Sequence, residues 1–182
     1  MIIALTGTPG TGKTTIAQLL KTTYHYKILS QNQIALEHDF ILDHDSTRDS
    51  KNLDLDALDF YLQKHYQETR EPLILDGHAS HLLDSVFKVI ILRCQPQELK
   101  ARLQSRDWSK EKILENTDAE ALDLILCQAT EHHKEDDLFE LDTTHHIPHE
   151  IAETIHNIIQ DNFTPTPNYK IGHIDWSEDY FI

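Results

Sequence analysis

Residues Gly7-Thr8-Pro9-Gly10-Thr11-Gly12-Lys13-Thr14 satisfy the pattern GxxxxGK[ST] at every fixed position. Four fixed positions match by chance in under ~1% of chains of this size. The chemistry of the pattern is anion binding. Glycines let the backbone curl so that successive amides point at one anion, and the amino end of the following helix adds its dipole. Lys13 would hold β- and γ-phosphates, the Thr14 hydroxyl would take a place on Mg²⁺, and Thr15 could reach the α-phosphate. A Gly-rich turn with no ligand is the bland alternative. The run Ile2–Leu5 before the loop and the helical spacing of Ile16, Leu19 and Leu20 after it favour the phosphate reading.

A second candidate is LILDGHASHLL, residues 73–83. An apolar strand here delivers Asp76 to its carboxyl end and His78 just beyond. Beside a phosphate loop, an Asp in that place serves the Mg²⁺ water shell. Otherwise Asp76 only caps the next turn. His78 either holds a water in line with the γ-phosphate, shapes a second substrate pocket, or bonds loop backbone. His81 is expected on a short helix.

The third candidate is a basic stretch. Residues 88–112 hold Lys88, Arg93, Lys100, Arg102, Arg106, Lys110 and Lys112, seven of the sixteen Lys and Arg. Arg102 and Arg106 would share a helix face. Arginine over a γ-phosphate stabilises charge in phosphoryl transfer. The alternative is a solvated helix face.

These groups need a scaffold. Strands are expected at Ile2–Leu5, Tyr26–Leu29, Pro72–Leu75, Phe87–Leu92 and Leu138–Leu141. Helices are expected over Thr14–Thr23, Ser30–His38 with Ser30 as cap, about 54–70, Pro96–Arg106, Ser109–His133 and the segment bearing Ile151, Ile155, Ile158 and Ile159. In the long segment, Leu122, Ile125, Leu126 and Ala129 would form one face. His44–Asn52 reads as a polar loop and the tail from Asn162 as irregular. Strands alternating with helices imply right-handed parallel crossovers, hence a three-layer α/β/α sandwich on a five-stranded parallel sheet. Ligands in such sheets bind beyond the carboxyl strand ends.

Composition narrows the remaining classes. A net charge of −15 over 182 residues opposes direct nucleic-acid binding and anionic membranes, and suits a basic protein partner. The first apolar run is too short for a signal peptide and no segment approaches a membrane span, so a cytoplasmic protein is expected. Cys94 and Cys127 form no CxxC, and Cys94 reads as core. Thirteen histidines show no recognised metal-ligand spacing and read as surface groups. Trp108 is expected to pack beneath the segment at 105–115, and Trp176 to anchor the tail.

Together, GTPGTGKTT, DGH and RLQSRDWSKEKILEN resemble the archaeal and nuclear-type adenylate kinase family. Its eukaryotic members include the coilin-interacting nuclear ATPase and the yeast ribosome-assembly ATPase. The phosphate loop is shared by many kinases; the D-x-H and R-x-x-x-R-x-W-S-x-x-K-I-x-E-N elements are far more specific. The resemblance spans residues 1 to about 160, and IDWS near the end resembles archaeal members. It implies a P-loop kinase domain over 1–161, with a monophosphate-binding insertion at about 30–53, a lid at about 105–115 and a tail at 162–182. It implies ATP binding by Gly10, Gly12, Lys13, Thr14, Thr15 and the lid's Arg106, with Mg²⁺ on Thr14 and Asp76. It implies catalysis by Lys13, Asp76, His78 and Arg106, with ATP and AMP as substrates. It further implies ATPase activity and a part in small-subunit ribosome maturation through a basic ribosomal protein. Two departures stand out. Other adenylate kinases carry D-G-F-P-R where this chain has Asp76-Gly77-His78-Ala79-Ser80. The insertion helix reads Gln33-Ile34-Ala35-Leu36-Glu37, which leaves Arg48 as the insertion's only arginine. Both bear on AMP more than on ATP.

Overall fold

Strand β1, Ile2–Gly7, is buried along its whole length and forms the centre of the molecule. In the computed structural model, residues 1–45 and 50–180 are described. The chain continues through α1 (Lys13–Tyr24), β2 (Lys27–Ser30), α2 (Gln31–Glu37), β3 (Ile41–Asp45), β4 (Ser50–Leu53), α3 (Leu55–Tyr66) and β5 (Leu73–Asp76). There follow β6 (Lys88–Arg93), α4 (Pro96–Gln104), α5 (Lys110–Ala121), α6 (Leu124–His132), β7 (Leu138–Asp142), α7 (Pro148–Gln160) and a single helical turn, α8 (Ser177–Tyr180). The main sheet has the order β2-β5-β1-β6-β7, and every pairing in it is parallel.

Both faces of the sheet are covered, which is why its strands are nearly unbroken apolar runs. Alternate residues serve opposite cores. Ile3, Leu5, Ile90 and Leu92 pack toward α1 and α7, whose Ile16, Leu20, Ile151, Ile155 and Ile158 fill that layer. Ala4, Val89, Ile91 and Leu75 pack the other way, against Leu58 and Leu62 of α3 and Leu126 and Ala129 of α6. The starts of α2 and α3 are capped by side chains. Ser30 accepts from the Gln33 amide at 3.3 Å and Asp54 from the Ala57 amide at 2.9 Å.

Three expectations are corrected. The supposed loop at His44–Asn52 belongs in part to an antiparallel ribbon, with Ile41 opposite Leu53 and Asp45 opposite Ser50. Leu42 on this ribbon is 69% exposed. Arg48 lies outside the described residues. The long helix at Ser109–His133 is two helices, parted at Asp123, whose φ of 53° is left-handed. Consequently Leu122 is 61% exposed and leaves the face it was expected to share with Leu126 and Ala129. The tail is not wholly irregular. It makes one 3₁₀ turn at Pro167–Tyr169, buries Ile174, and ends in α8, where the Tyr180 hydroxyl reaches Asp118 Oδ1 at 2.8 Å on α5.

Candidate active site

Strand pairing alone brings the two motifs together. Leu5 of β1 stands beside Asp76 of β5, and the Gly77 amide bonds Leu5 O at 3.3 Å. The phosphate loop leaves β1 at that level and turns into α1. Gly10 and Gly12 both adopt φ near 101°, a conformation that glycine takes without a Cβ penalty. At Gly10 a Cβ would also lie 2.8 Å from Leu99 on α4. The amino end of α1 carries no side-chain cap and no acidic residue in its first turn. Its free amides and its dipole are thus open to an anion.

Lys13 bends back over the loop, with Nζ 2.6 Å from Gly7 O and 3.1 Å from Thr8 O. Burial lowers its pKa to about 8, against the opposing pull of Asp76 and Glu120 and with some help from Arg106. Thr14 Oγ1 donates to Asp76 Oδ2 at 3.1 Å. Enclosure raises the Asp76 pKa, while the Thr14 bond and Lys13 act the other way. His78 opens onto solvent beyond Asp76, and its pKa is lowered, first by the surrounding walls and then by Lys13. A lowered pKa keeps this imidazole neutral, with one nitrogen free to accept a proton. Thr15 is exposed on the first turn of α1.

His81 lies on a 3₁₀ turn, Ser80–Leu82, and is 1% exposed. Its Nδ1 stands 2.9 Å from Thr6 Oγ1 and its Nε2 3.2 Å from Gln128 Oε1. It belongs to the buried floor beneath the loop that carries His78. Thr6 Oγ1 also lies 3.2 Å from His78 O, so this floor holds the loop that carries His78. Gln31, fully buried at the start of α2, accepts from the Ala79 amide at 3.2 Å and packs flat on Gly77.

The basic stretch divides. Arg106 is exposed, follows the end of α4, and stacks over Trp108 at 5.2 Å. Its field reaches Lys13. Trp108 packs on Leu99, Leu103, Ile113 and Cys94, the packing expected beneath this segment. Cys94 is buried core, its thiol pushed up to about 12 first by burial. Arg102 does not share a free face with Arg106. It bonds Glu98 at 3.0 Å and the carbonyls of Thr143 and Thr144 at 2.9 and 2.8 Å. Arg93 is interior, 2% exposed, held by Glu120, Asp123 and Glu140. Sequence reasoning passed over Glu120, Thr8, Thr6 and Gln31. Their partners lie 48 to 112 positions away, so no local spacing could have revealed them.

A GxxxxGK[ST] loop that leaves the central strand of a parallel sheet and feeds an uncapped helix, with an aspartate at the neighbouring strand end, defines a kinase-like P-loop protein. Solved structures agree on the fold. Shikimate kinase from Acinetobacter baumannii, in complex with shikimate, superposes with a TM-score of 0.59 over 90% of this chain and 95% of that one, at 13% identity. The YorR protein of Bacillus subtilis, in complex with phosphorylated GDP, gives 0.60 over 91% and 100%, at 19% identity. Residues 3–123 match the AAA domain family. Two archaeal proteins bearing the name "Putative adenylate kinase" are similar along nearly the whole chain. The one from Methanosarcina barkeri is 39% identical over 97% of both chains. The one from Pyrococcus abyssi is 38% identical over 99% of this chain and 93% of its own. The chain belongs to this archaeal adenylate kinase-like family and carries its AAA domain. No helix among the described residues is long and apolar enough to cross a membrane.

Proposed function

We propose that the protein is an adenylate kinase, converting ATP and AMP into two ADP and hydrolysing ATP when water replaces AMP. One observation carries the reading: Lys13, Thr14 and Asp76 converge at an uncapped helix start in a chain 39% identical to proteins of that name. In this reading the loop amides, with Gly10, Gly12, Lys13, Thr14 and Thr15, hold the triphosphate. An oxygen of the AMP phosphate attacks the γ-phosphorus while the bond from that phosphorus to the β–γ bridging oxygen breaks. Lys13 follows the charge on the β- and γ-oxygens. Arg106, carried on Trp108, stabilises the charge spread over the transferring group. His78, neutral and beyond Asp76, orients a water in the hydrolytic reaction.

Thr14 Oγ1 and Asp76 Oδ2 are hard oxygen donors 3.1 Å apart, a pairing that suits Mg²⁺, which takes oxygen ligands and keeps several waters. Thr14 and Asp76 would hold the ion, which supplies charge neutralisation on the phosphate oxygens. The insertion at about 30–53 would receive AMP, and residues about 105–115 would close over ATP.

A second reading rests on α2. Among the described residues of the insertion there is no arginine to meet a monophosphate, since the helix reads Gln33-Ile34-Ala35-Leu36-Glu37. Arg48, the insertion's only arginine, would have to meet the monophosphate, and the alternative reading is an ATPase that works as a switch in small ribosomal subunit maturation, with a basic ribosomal protein bound to its acidic surface. The two readings separate on ADP and phosphate release from ATP with and without AMP. A kinase makes two ADP per ATP consumed and needs AMP. Equal phosphate release without AMP supports the switch.

A further inference from the structure

Arg93, at the carboxyl end of β6, faces more negative charge than pairing requires. Its Nε donates to Glu120 Oε1 at 2.8 Å, while the two terminal nitrogens meet Glu140 and Asp123. Burial opposes the guanidinium charge, and these carboxylates outweigh it and raise the pKa. Glu120 is 3% exposed and does not end its contacts there. Oε1 also accepts from the Cys94 amide at 3.0 Å, and Oε2 accepts from Thr8 Oγ1 at 2.5 Å.

Thr8 is a residue of the phosphate loop. Its carbonyl receives three donors from further along that loop: the Thr11 amide at 3.2 Å, Thr11 Oγ1 at 2.9 Å and Lys13 Nζ at 3.1 Å. The side chain of Thr8 is therefore fixed from the last turn of α5, and its carbonyl fixes the loop. We propose that Glu120 is a positioning residue for ATP: acting through Thr8, it locks the phosphate loop in its anion-receiving form, with Arg93 holding the carboxylate in register. The proposal rests on the reading that the loop binds the triphosphate. A carboxylate suits the task because its two oxygens face different directions. One is committed to the Arg93 side and the other to the loop, and a charged acceptor makes the stronger bond.

The test uses the full chain, ATP binding by calorimetry, and KM for ATP and for AMP. Thr8→Val removes the bond from the loop side and leaves the Arg93 cluster intact. Glu120→Ala removes it from the helix side, and Asp123 and Glu140 still neutralise Arg93. Each should weaken ATP binding roughly tenfold, as expected for losing a hydrogen bond to a charged acceptor. The AMP KM should stay within twofold. The double variant should bind ATP no worse than either single one, because both remove the same bond. Glu120→Gln should recover part of the loss, since its neutral amide keeps a partner for Thr8 Oγ1 and an acceptor for Arg93. Thr8→Val with wild-type ATP affinity overturns the proposal, as does Glu120→Gln as weak as Glu120→Ala. If Glu120→Ala does not fold, Thr8→Val and Glu120→Gln decide. Lys13→Ala is the control for the underlying reading: if it binds ATP normally, the triphosphate site itself has been misplaced.

Discussion

Thr14 Oγ1 and Asp76 Oδ2 are 3.1 Å apart, although 62 positions separate them in the chain. Neither residue reaches for the other. Asp76 ends β5, Thr14 opens α1 just past the loop that leaves β1, and the parallel register of β1 and β5 brings the loop and the strand end to the same level. Nucleotide chemistry in this protein is thus organised by backbone pairing first and by side chains second.

Lys13→Ala should abolish nucleotide turnover without unfolding the protein. Among the described residues the ammonium bonds the loop carbonyls Gly7 O and Thr8 O, so its loss leaves the packing of α1 unchanged. A drop of about 10²-fold or more in ADP formation is expected for removing one such charge from a transferring phosphate. Thermal unfolding measured alongside should show a midpoint near that of the wild type. Turnover close to normal would place the phosphates elsewhere.

Arg106→Ala should lower kcat more than ATP affinity, by about 10²-fold. The guanidinium is exposed and stacked on Trp108, with nothing in the core depending on it. Steady-state kinetics against ATP binding measures the split. A variant altered only in thermal stability would reduce Arg106 to a surface charge.

His78→Ala should lose most ATP hydrolysis and keep ATP binding, since Lys13 and the loop amides are untouched. Kinase turnover should fall less, because AMP rather than water is then the nucleophile. The buried His81 should behave differently: His81→Ala empties a site between Thr6 and Gln128, so its main effect should be on stability. Phosphate release with and without AMP, beside calorimetry, distinguishes them. Unchanged hydrolysis in His78→Ala would remove it from the mechanism.

Stability should fall as the pH drops from about 6.5 toward 4, and His81 should account for part of the fall. Burial lowers its pKa to about 4, with the Gln128 bond opposing and His133, His132 and His78 adding to the effect. The unfolded chain takes up a proton near pH 6.5 that the folded one refuses, so the unfolded state gains over this window. The stabilisation is present in full above pH 6.5 and is lost as pH falls through about 4, amounting to about 3 kcal/mol. Urea unfolding of wild type and His81→Gln at pH 7 and pH 4.5 reads it as a shrinking gap between the two. A gap that stays constant would mean that His81 is protonated in the fold.

What could be read from the sequence was local. The phosphate loop is eight consecutive residues, and Asp76 stands at the end of a contiguous apolar strand, so both were visible without a partner. The break between α5 and α6 was not, because Asp123 is held in its left-handed turn by Arg93, 30 positions away. The same contact explains why Arg93 was wrongly counted among groups facing an anion. A charge inventory cannot distinguish a guanidinium caged by Glu120 and Glu140 from one displayed to solvent. The β3–β4 ribbon escaped because its sequence, from Asp43 to Asn52, is polar and offers no apolar alternation to see. Glu120 had no signal at all: its partner Thr8 lies 112 positions earlier.

The central position of β1 has a consequence for the order in which the protein comes into being. This strand is made before its neighbours, β5 and β6, which follow more than sixty residues later. Parallel neighbours so distant in sequence pair slowly. Until they do, Asp76 is not beside the loop, and the chain emerging from synthesis has a phosphate motif without a phosphate site. Under the proposed function, nucleotide would bind the finished fold and stabilise it by mass action, by about 2.7 kcal/mol at a hundredfold excess over Kd. In that reading, ATP would select completed molecules, stabilising those whose central strands have paired.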